Sequence, residues 1–254
     1  MKFNRAITRK PGRSLVHGIT SANLGKPDYQ LALDQHARYV RALEDCGLQV
    51  RVLEALEDYP DSTFLEDVAL LTPHGAVILN PGAPTRKGET AGIDRVLGEY
   101  YQTLYQIEDP GTVEGGDILQ IGDHYHIGLT DRTNRAGAEQ VIAYLQRWGL
   151  SGSTVPVKDM LHLKTGIAYL DHHLVLANQA LLEMEVFHGY PVLEVDPDEA
   201  YAANCLAING RVLLPAGFPK TLALLQEAGY QVQTVDVTEF RKLDGGLSCL
   251  SLRF

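Results

Sequence analysis

The 254-residue sequence has no apolar run long enough to cross a bilayer, which takes about 20 consecutive residues. Charged residues interrupt the first eleven positions, so the apolar centre of a signal peptide is missing. Complete phosphate-binding loops, Gly-x-Gly-x-x-Gly motifs and Gly-x-Ser-x-Gly motifs are also missing. The sequence therefore predicts a soluble, cytoplasmic protein with no membrane partner and no nucleotide cofactor.

Positive charge and cysteine are both scarce. The 22 lysines and arginines against 32 aspartates and glutamates give a net charge of −10. An acidic surface repels phosphate backbones and attracts small cations, so nucleic acid is not an expected partner. The three cysteines cannot all pair, and none lies in a Cys-x-x-Cys motif, which excludes a zinc ribbon and a thioredoxin-like redox site. His124 and His126 lie at a predicted hairpin tip, and no metal or other cofactor is expected.

The sequence carries a loose internal repeat of strand, strand, helix and strand. Turn signals separate pairs of short apolar strands, and Asn209-Gly210 is the strongest of these signals. A helical stretch and a further strand follow each pair. The units begin 38 to 50 residues apart. Their starts are Asp67, Gly116, Gly166, Asn204 and Gly246.

The two ends of the chain complement each other. The last unit has no helix of its own, whereas the N-terminal region offers strand 5–8, helix 29–44 and strand 49–53. Four whole units and one shared unit would close a ring of five, which protects strand edges radially. We predict an α/β fold, a five-bladed α/β-propeller of pseudo-five-fold ββαβ repeats, with residues 1–254 as one catalytic domain. The alternative is an ordinary α+β domain with accidental hairpin spacing.

The unit starts concentrate the chemistry-bearing side chains. In a radial fold these starts lie at one end of the central axis. A thiol with an imidazole acid/base suits nucleophilic catalysis. Several carboxylates beside a thiol oppose its ionisation, but they suit a substrate that brings a planar guanidinium. The side chains at the starts are Glu66 and Asp67, Glu114 with Asp117, His162, Asn204, and Cys249.

Each of these assignments has an ordinary structural alternative. Cys249 could be a buried apolar residue, His162 a hydrogen-bonded core histidine, and Glu114 a surface charge on a hairpin. Cys46 and Cys205, by contrast, lie in apolar surroundings in the sequence and are expected to be buried core residues.

Several segments resemble one enzyme family over nearly the whole chain. They are GRSLV at 12–16, LGKPDY at 24–29, PDS at 60–62 with LED at 65–67, PGTVEGGD at 110–117, LHLKTG at 161–166, YAANC at 201–205 and DGGLSC at 244–249. Together they are similar to the dimethylarginine dimethylaminohydrolase family of the guanidino-group-modifying (pentein) superfamily. That superfamily has a five-fold α/β-propeller, in agreement with the repeat.

The resemblance implies hydrolysis of Nω-methylated arginine to citrulline and dimethylamine or methylamine, without a metal. Cys249 would attack the guanidinium carbon, and His162 would act as the acid/base. Glu114 and Asp67 would bind the guanidinium nitrogens and help to orient His162, and Asp61 and Glu66 would shape the same pocket. The implied substrate-binding residues are Ile19, Asp61, Glu66, Asp67, Arg86, Arg132 and Leu243. Arg86 and Arg132 would hold the α-carboxylate, and the carbonyls of Ile19 and Leu243 would accept from the α-amino group.

Two other functions stay open at this point. One is a related enzyme, such as arginine deiminase or a hydrolase of another N-substituted arginine. The chain lacks the extra helical insertion that arginine deiminase carries. The other is a non-catalytic arginine-binding or scaffold protein on the same fold. A homodimer is compatible with the sequence, although no decisive apolar stripe marks an interface.

Overall fold

The protein's structure, a computed structural model, describes residues 2–254. Its strands are β1 (Arg5–Arg9), β2 (Gln49–Leu53), β3 (Ala69–Thr72), β4 (Gly75–Ile78), β5 (Leu104–Gln106), β6 (Ile118–Ile121), β7 (His124–Leu129), β8 (Ser151–Pro156), β9 (Ile167–Asp171), β10 (Leu174–Ala177), β11 (Val192–Glu194), β12 (Leu206–Ile208), β13 (Arg211–Pro215), β14 (Gln231–Val235) and β15 (Ser251–Arg253). The α-helices are α1 (Tyr29–Asp45), α2 (Ile93–Gly98), α3 (Arg135–Arg147), α4 (Gln179–Leu182), α5 (Pro219–Glu227) and α6 (Thr238–Arg241).

The strands form five three-stranded sheets with one common pattern. Their orders are β15-β1-β2, β3-β4-β5, β6-β7-β8, β9-β10-β11 and β12-β13-β14. In every sheet the first pair is antiparallel and the second is parallel. A parallel pair requires a crossover, which the intervening helical segment supplies. The predicted five-fold ββαβ repeat is confirmed.

The first sheet joins the two ends of the chain. Ile7 of β1 lies opposite Leu252 of β15 in the antiparallel pair and opposite Arg51 of β2 in the parallel pair. The helix between β1 and β2 is α1, whose N-cap Asp28 accepts a hydrogen bond from the Leu31 amide at 2.9 Å. The predicted shared unit is therefore confirmed.

A 3₁₀ turn precedes one edge strand of every sheet, and we call these five strands the inner strands: β3, β6, β9, β12 and β15. These turns are Leu65–Val68, Gly115–Asp117, Leu163–Thr165, Pro197–Ala203 and Ser248–Leu250. The pattern of residues 65–71, with a turn signal at 73–75, predicts a strand throughout, whereas the first four positions form the 3₁₀ turn. Periodicity does not resolve a tight turn that runs directly into a strand. The turns place the residues at the unit starts on non-strand backbone at one end of the ring.

One predicted helix is shorter than expected. The sequence pattern predicts a helix over residues 90–101, whereas α2 covers only Ile93–Gly98 and a 3₁₀ turn covers Pro84–Thr90. Gly92 separates the two at a φ of +79°, a left-handed conformation that interrupts a right-handed helix.

The apolar core lies between neighbouring sheets. In one cluster, Val77 of β4 packs with Val141 and Leu145 of α3. In the next, Leu119 of β6 packs with Val175 of β10. Because side chains on successive strand residues point to opposite faces, one sheet contributes to two clusters: Val77 lies in the first cluster, and its neighbour Ala76 packs with Ile7 and Leu252 in another. Among the described residues, no helix is long and apolar enough to cross a membrane.

Candidate active site

Glu114 and His162 form a direct buried pair. The His162 Nε2 lies 2.7 Å from the Glu114 Oε2, and the two residues are 6% and 0% exposed. Glu114 also accepts from the Gly82 amide at 3.1 Å through its other oxygen. Burial lowers the pKa of His162, but the charge of Asp67 and the bond to Glu114 outweigh it and raise that pKa to about 9. The imidazole is therefore an imidazolium at neutral pH.

Asp67 supports this pair from the neighbouring turn. Its Oδ1 accepts from the Gly116 amide at 2.8 Å, and its Oδ2 accepts from the Arg86 guanidinium at 2.7 Å. Gly116 packs directly beneath the histidine, because a Cβ added there would lie 2.6 Å from the His162 Nδ1. A glycine is required for this close approach.

A second carboxylate fixes the backbone next to His162. The Asp117 Oδ1 accepts from the Leu163 amide at 2.9 Å, and its Oδ2 accepts from the Thr130 hydroxyl at 2.8 Å. The turn that carries the imidazole is thus anchored to the turn that carries Glu114.

Cys249 lies in the last 3₁₀ turn and is 8% exposed. Its Sγ accepts from the Gly246 amide at 3.4 Å and lies 3.9 Å from the Ser248 hydroxyl. Burial, followed by the negative charges of Glu66 and Asp67, raises the pKa of Cys249 to about 12. The resting side chain is therefore a neutral thiol, and its ionisation requires a nearby positive charge.

One cavity of about 390 Å³ joins the sulfur and the imidazole. His162 and Cys249 both line it, together with Lys164, Asn204 and Ser248. Arg241, Asp244 and the loop at positions 21–24 complete its mouth. The predicted meeting of these two side chains at one site is thus present in the structure.

The loop over the cavity is held at two points. The Ile19 amide donates to the Asp61 carboxylate at 3.0 Å, and the Ser21 amide donates to the Asp244 Oδ2 at 2.6 Å. Leu243, next to Asp244, is buried, whereas Ile19 is 38% exposed. Burial raises the pKa of Asp61, although the neighbouring Arg86 opposes this shift.

Glu66 lies behind the thiol rather than along this cavity. Its Oε1 accepts from Lys164 at 2.6 Å and from Arg253 at 2.8 Å. Glu66 and Arg253 instead line a second cavity, of about 680 Å³, which the inner strands surround. The predicted contribution of Glu66 to the substrate pocket stays a prediction.

Arg86 is 5% exposed, and protein acceptors hold its guanidinium. Besides Asp67, it bonds both oxygens of Glu89 and lies 3.8 Å from the Glu114 Oε2. Arg132 is 3.6 Å from the Glu114 Oε1, with 18% of its side chain exposed. Arg132 therefore has donors free for a carboxylate, whereas Arg86 must release present partners to bind one. Both roles stay predictions.

The acidic side chains also satisfy the geometry of a cation site. Ligand atoms of Asp67, Glu114 and His162 lie within 4.8 Å of one another. The Arg86 guanidinium, however, already lies against two of them, and the His162–Glu114 contact is a direct hydrogen bond. The arrangement suits a planar organic cation better than a metal ion, because such a cation donates N–H hydrogen bonds to the carboxylates and needs no coordinating ligands.

Several residues around the site were not singled out by the sequence. They are Lys164, Arg241, Asp244, Ser248 and Arg253. Lys164 and Asp244 fall within the segments LHLKTG and DGGLSC, so the resemblance could have drawn attention to them. Arg253 had no such signal, because only the ring closure brings β15 beside Glu66.

Comparisons with known proteins agree with this geometry. A family model described as arginine deiminase matches residues 53–199. The dimethylarginine dimethylaminohydrolase of Pseudomonas aeruginosa is 48% identical over 99% of this chain and 100% of its own length. The C249S mutant of that enzyme, complexed with citrulline, superposes with a TM-score of 0.98 over 100% of both chains at 47% identity.

A further solved structure holds a covalent ligand. It is the H162G adduct of a dimethylarginine dimethylaminohydrolase with S-methyl-L-thiocitrulline, 48% identical, with a TM-score of 0.97 over 99% of this chain and 100% of the other. The chain described here belongs to the dimethylarginine dimethylaminohydrolase family, within the broader group that the arginine deiminase model describes.

Proposed function

We propose that the protein hydrolyses Nω-methylated L-arginine, as asymmetric dimethylarginine or monomethylarginine, to L-citrulline and dimethylamine or methylamine. One observation supports this most: a thiol and a carboxylate-bound imidazolium line the same cavity. A buried neutral thiol surrounded by carboxylates is poorly reactive until a cation arrives. A guanidinium substrate supplies that charge and is itself the electrophile.

The first half of the reaction forms a covalent intermediate. The bound guanidinium lowers the pKa of Cys249, the thiol releases its proton to solvent, and the thiolate attacks the guanidinium carbon. The imidazolium of His162 then donates its proton to the substituted nitrogen as the C–N bond breaks. The amine departs, and a positively charged thiouronium remains on the sulfur.

The second half uses the same imidazole in the opposite sense. The now neutral His162 takes a proton from water, and the oxygen attacks the thiouronium carbon. The resulting tetrahedral species expels the thiolate of Cys249 and leaves a protonated ureido group. That group loses its proton to give citrulline, and the thiolate takes up a proton to restore the resting thiol. Glu114 stabilises the imidazolium through its 2.7 Å bond whenever the proton is present.

The family resemblance assigns the remaining contacts, and we carry them over as proposals. Glu114 and Asp67 would bind the guanidinium nitrogens and help to orient His162, and Asp61 and Glu66 would shape the same pocket. The exposed donors of Arg132 support a role in carboxylate binding. The remaining assigned contacts are the Arg86 side chain and the carbonyls of Ile19 and Leu243. We treat residues 1–254 as one catalytic domain whose only proposed partner is this small substrate.

The test is turnover of asymmetric dimethylarginine, monomethylarginine and arginine side by side, with citrulline as the readout. We expect citrulline from one or both methylated substrates and none from the Cys249→Ser variant. Turnover of arginine in preference to both methylated forms would indicate a deiminase instead. If no substrate yields citrulline while Cys249 also resists 2-chloroacetamidine, a cationic thiol-reactive probe, the catalytic proposal fails.

A further inference from the structure

Asn204 links the two turns that carry the reacting groups. Its Nδ2 donates to the Lys164 carbonyl at 3.1 Å, and its Oδ1 accepts from the Ser248 amide at 3.0 Å. Lys164 lies two residues after His162, and Ser248 immediately precedes Cys249. A single side-chain amide therefore ties the histidine turn to the cysteine turn.

The same amide supports the sulfur through a third contact. Gly246, whose amide donates to the Cys249 Sγ at 3.4 Å, packs directly on the Asn204 side chain. A Cβ added to Gly246 would lie 2.4 Å from the Asn204 Cγ. The side chain thus touches two residues that closely precede Cys249, Gly246 and Ser248.

The reaction requires the Cys249 thiol and the His162 imidazole to be held at a fixed separation. His162 and Cys249 lie on turns that precede strands of different sheets, so no local backbone fixes their separation. Misplacement of reacting groups by about 1 Å costs on the order of 10²-fold in rate. Asn204 is 6% exposed, and both polar ends of its amide are occupied by backbone groups, so it is held in a single orientation.

We propose that Asn204 is a positioning residue that sets the geometry between the Cys249 thiol and the His162 imidazole. It acts through the backbone of Lys164 and Ser248. The expected effect on kcat rests on the proposed function, because it assumes that reaction. The geometric claim extends to any reagent that must contact both groups.

The primary variant is Asn204→Ala, which removes both hydrogen bonds. We expect kcat for the preferred methylated arginine to fall on the order of 10²-fold, with KM changed by less than about threefold. The rate of Cys249 alkylation by 2-chloroacetamidine, followed by intact-protein mass spectrometry, should fall at least about tenfold. A substrate-contact role would raise KM instead.

Asn204→Asp is the second variant, and it keeps the proposal testable if Asn204→Ala does not fold. An ionised aspartate keeps the acceptor for the Ser248 amide but loses the donor to the Lys164 carbonyl. It also adds a negative charge near the thiol. We expect the same fall in kcat and a shift of iodoacetamide labelling of Cys249 to higher pH.

Asn209→Ala is the matched control. Asn209 makes the same kind of two-sided bridge, accepting from the Phe3 amide at 2.9 Å and donating to the Cys46 carbonyl at 3.0 Å. It lies outside the residues that line the catalytic cavity. Its φ of +51° disfavours alanine, so this variant should lose stability while kcat stays within about twofold of wild type.

The outcomes separate this inference from the proposed function. If wild type makes no citrulline, the function fails, and the alkylation rates still decide the role of Asn204. If wild type turns over and both Asn204 variants keep kcat and alkylation within about twofold, the positioning role is refuted. Equal losses in the Asn204→Ala and Asn209→Ala variants, measured well below their melting temperatures, would also refute it.

Discussion

The Glu114 Oε2 lies 2.7 Å from the His162 Nε2, and this bond connects a fully buried carboxylate to the group that must carry a proton. Its consequence is a His162 pKa of about 9 despite burial. In the resting site Cys249 is a neutral thiol and His162 is protonated. An incoming cationic substrate can then activate the thiol.

Glu114→Gln should lower the pKa of His162. Glutamine keeps the shape of the side chain but removes the charge, so burial and the remaining carboxylates alone act on the ring. We expect the midpoint of the ring-nitrogen NMR titration to fall from about 9 towards or below the ordinary 6.5. An unchanged midpoint would contradict the assigned role of the carboxylate.

The raised pKa of His162 also makes the free energy of unfolding depend on pH. A histidine whose pKa is higher in the folded than in the unfolded state stabilises the fold fully below pH 6.5. This stabilisation disappears as the pH rises through about 9. Urea unfolding at both ends of that range should show a smaller loss of unfolding free energy with pH for Glu114→Gln than for wild type.

The sequence predicted the repeat and the common position of the site residues, but it did not predict the turns that hold them. The repeat is visible because turns recur between apolar strand pairs, and it placed Asp67, Glu114, His162 and Cys249 at one end of the ring. The 3₁₀ turns that hold them were missed. Leu65–Val68 begins and ends with an apolar residue and runs directly into the apolar strand β3, so the sequence pattern does not separate this turn from the strand.

Ion pairs between residues far apart in the chain could not be predicted from the sequence. The sequence did not show that Asp67 and Glu89 hold the Arg86 guanidinium in the buried interior. Neither did it show that Lys164 and Arg253 bind Glu66. Such pairs depend on which strands become neighbours, and residue spacing along the chain does not encode this.

The reactivity of Cys249 should depend on the charge of the reagent. Because burial and carboxylates raise the pKa of its thiol to about 12, neutral iodoacetamide should label it slowly at pH 7 and faster as the pH rises. Cationic 2-chloroacetamidine should label it readily at pH 7, because its charge favours the thiolate.

Mass spectrometry of the labelled peptide gives both rates, with Cys46 and Cys205 as internal references. Both are buried, at 5% and 2% exposure, and neither lines the catalytic cavity. Equal labelling of Cys249 by the two reagents at pH 7 would argue against activation by the substrate's charge.

His162→Gly should separate the two halves of the reaction. A substrate with a good leaving group, such as S-methyl-L-thiocitrulline, does not need protonation to depart, so the thiouronium should form on Cys249. Its hydrolysis needs a base to activate water, so the adduct should accumulate. Intact-protein mass spectrometry would show the added mass, which should be missing in the Cys249→Ser variant. Rapid release of citrulline without accumulation would contradict the role of His162.

Gly116→Ala tests the packing beneath the imidazole. The new Cβ would lie 2.6 Å from the His162 Nδ1, closer than side-chain contacts allow, so the ring must move from its position beside Glu114. We expect kcat to fall on the order of 10²-fold, because the proton donor is displaced from the leaving group. The pKa of His162 should also fall as the bond to Glu114 lengthens.

Gly98→Ala is the matched control, since a Cβ there meets nothing within 4 Å. Gly98 lies at the end of α2, where alanine is favoured over glycine in helical backbone by roughly 0.5–1 kcal/mol. This variant should keep wild-type kcat and unfold at an equal or higher urea concentration. If Gly116→Ala matched it in both measurements, the histidine ring would tolerate displacement, and its fixed contact with Glu114 could not be what holds the proton for catalysis.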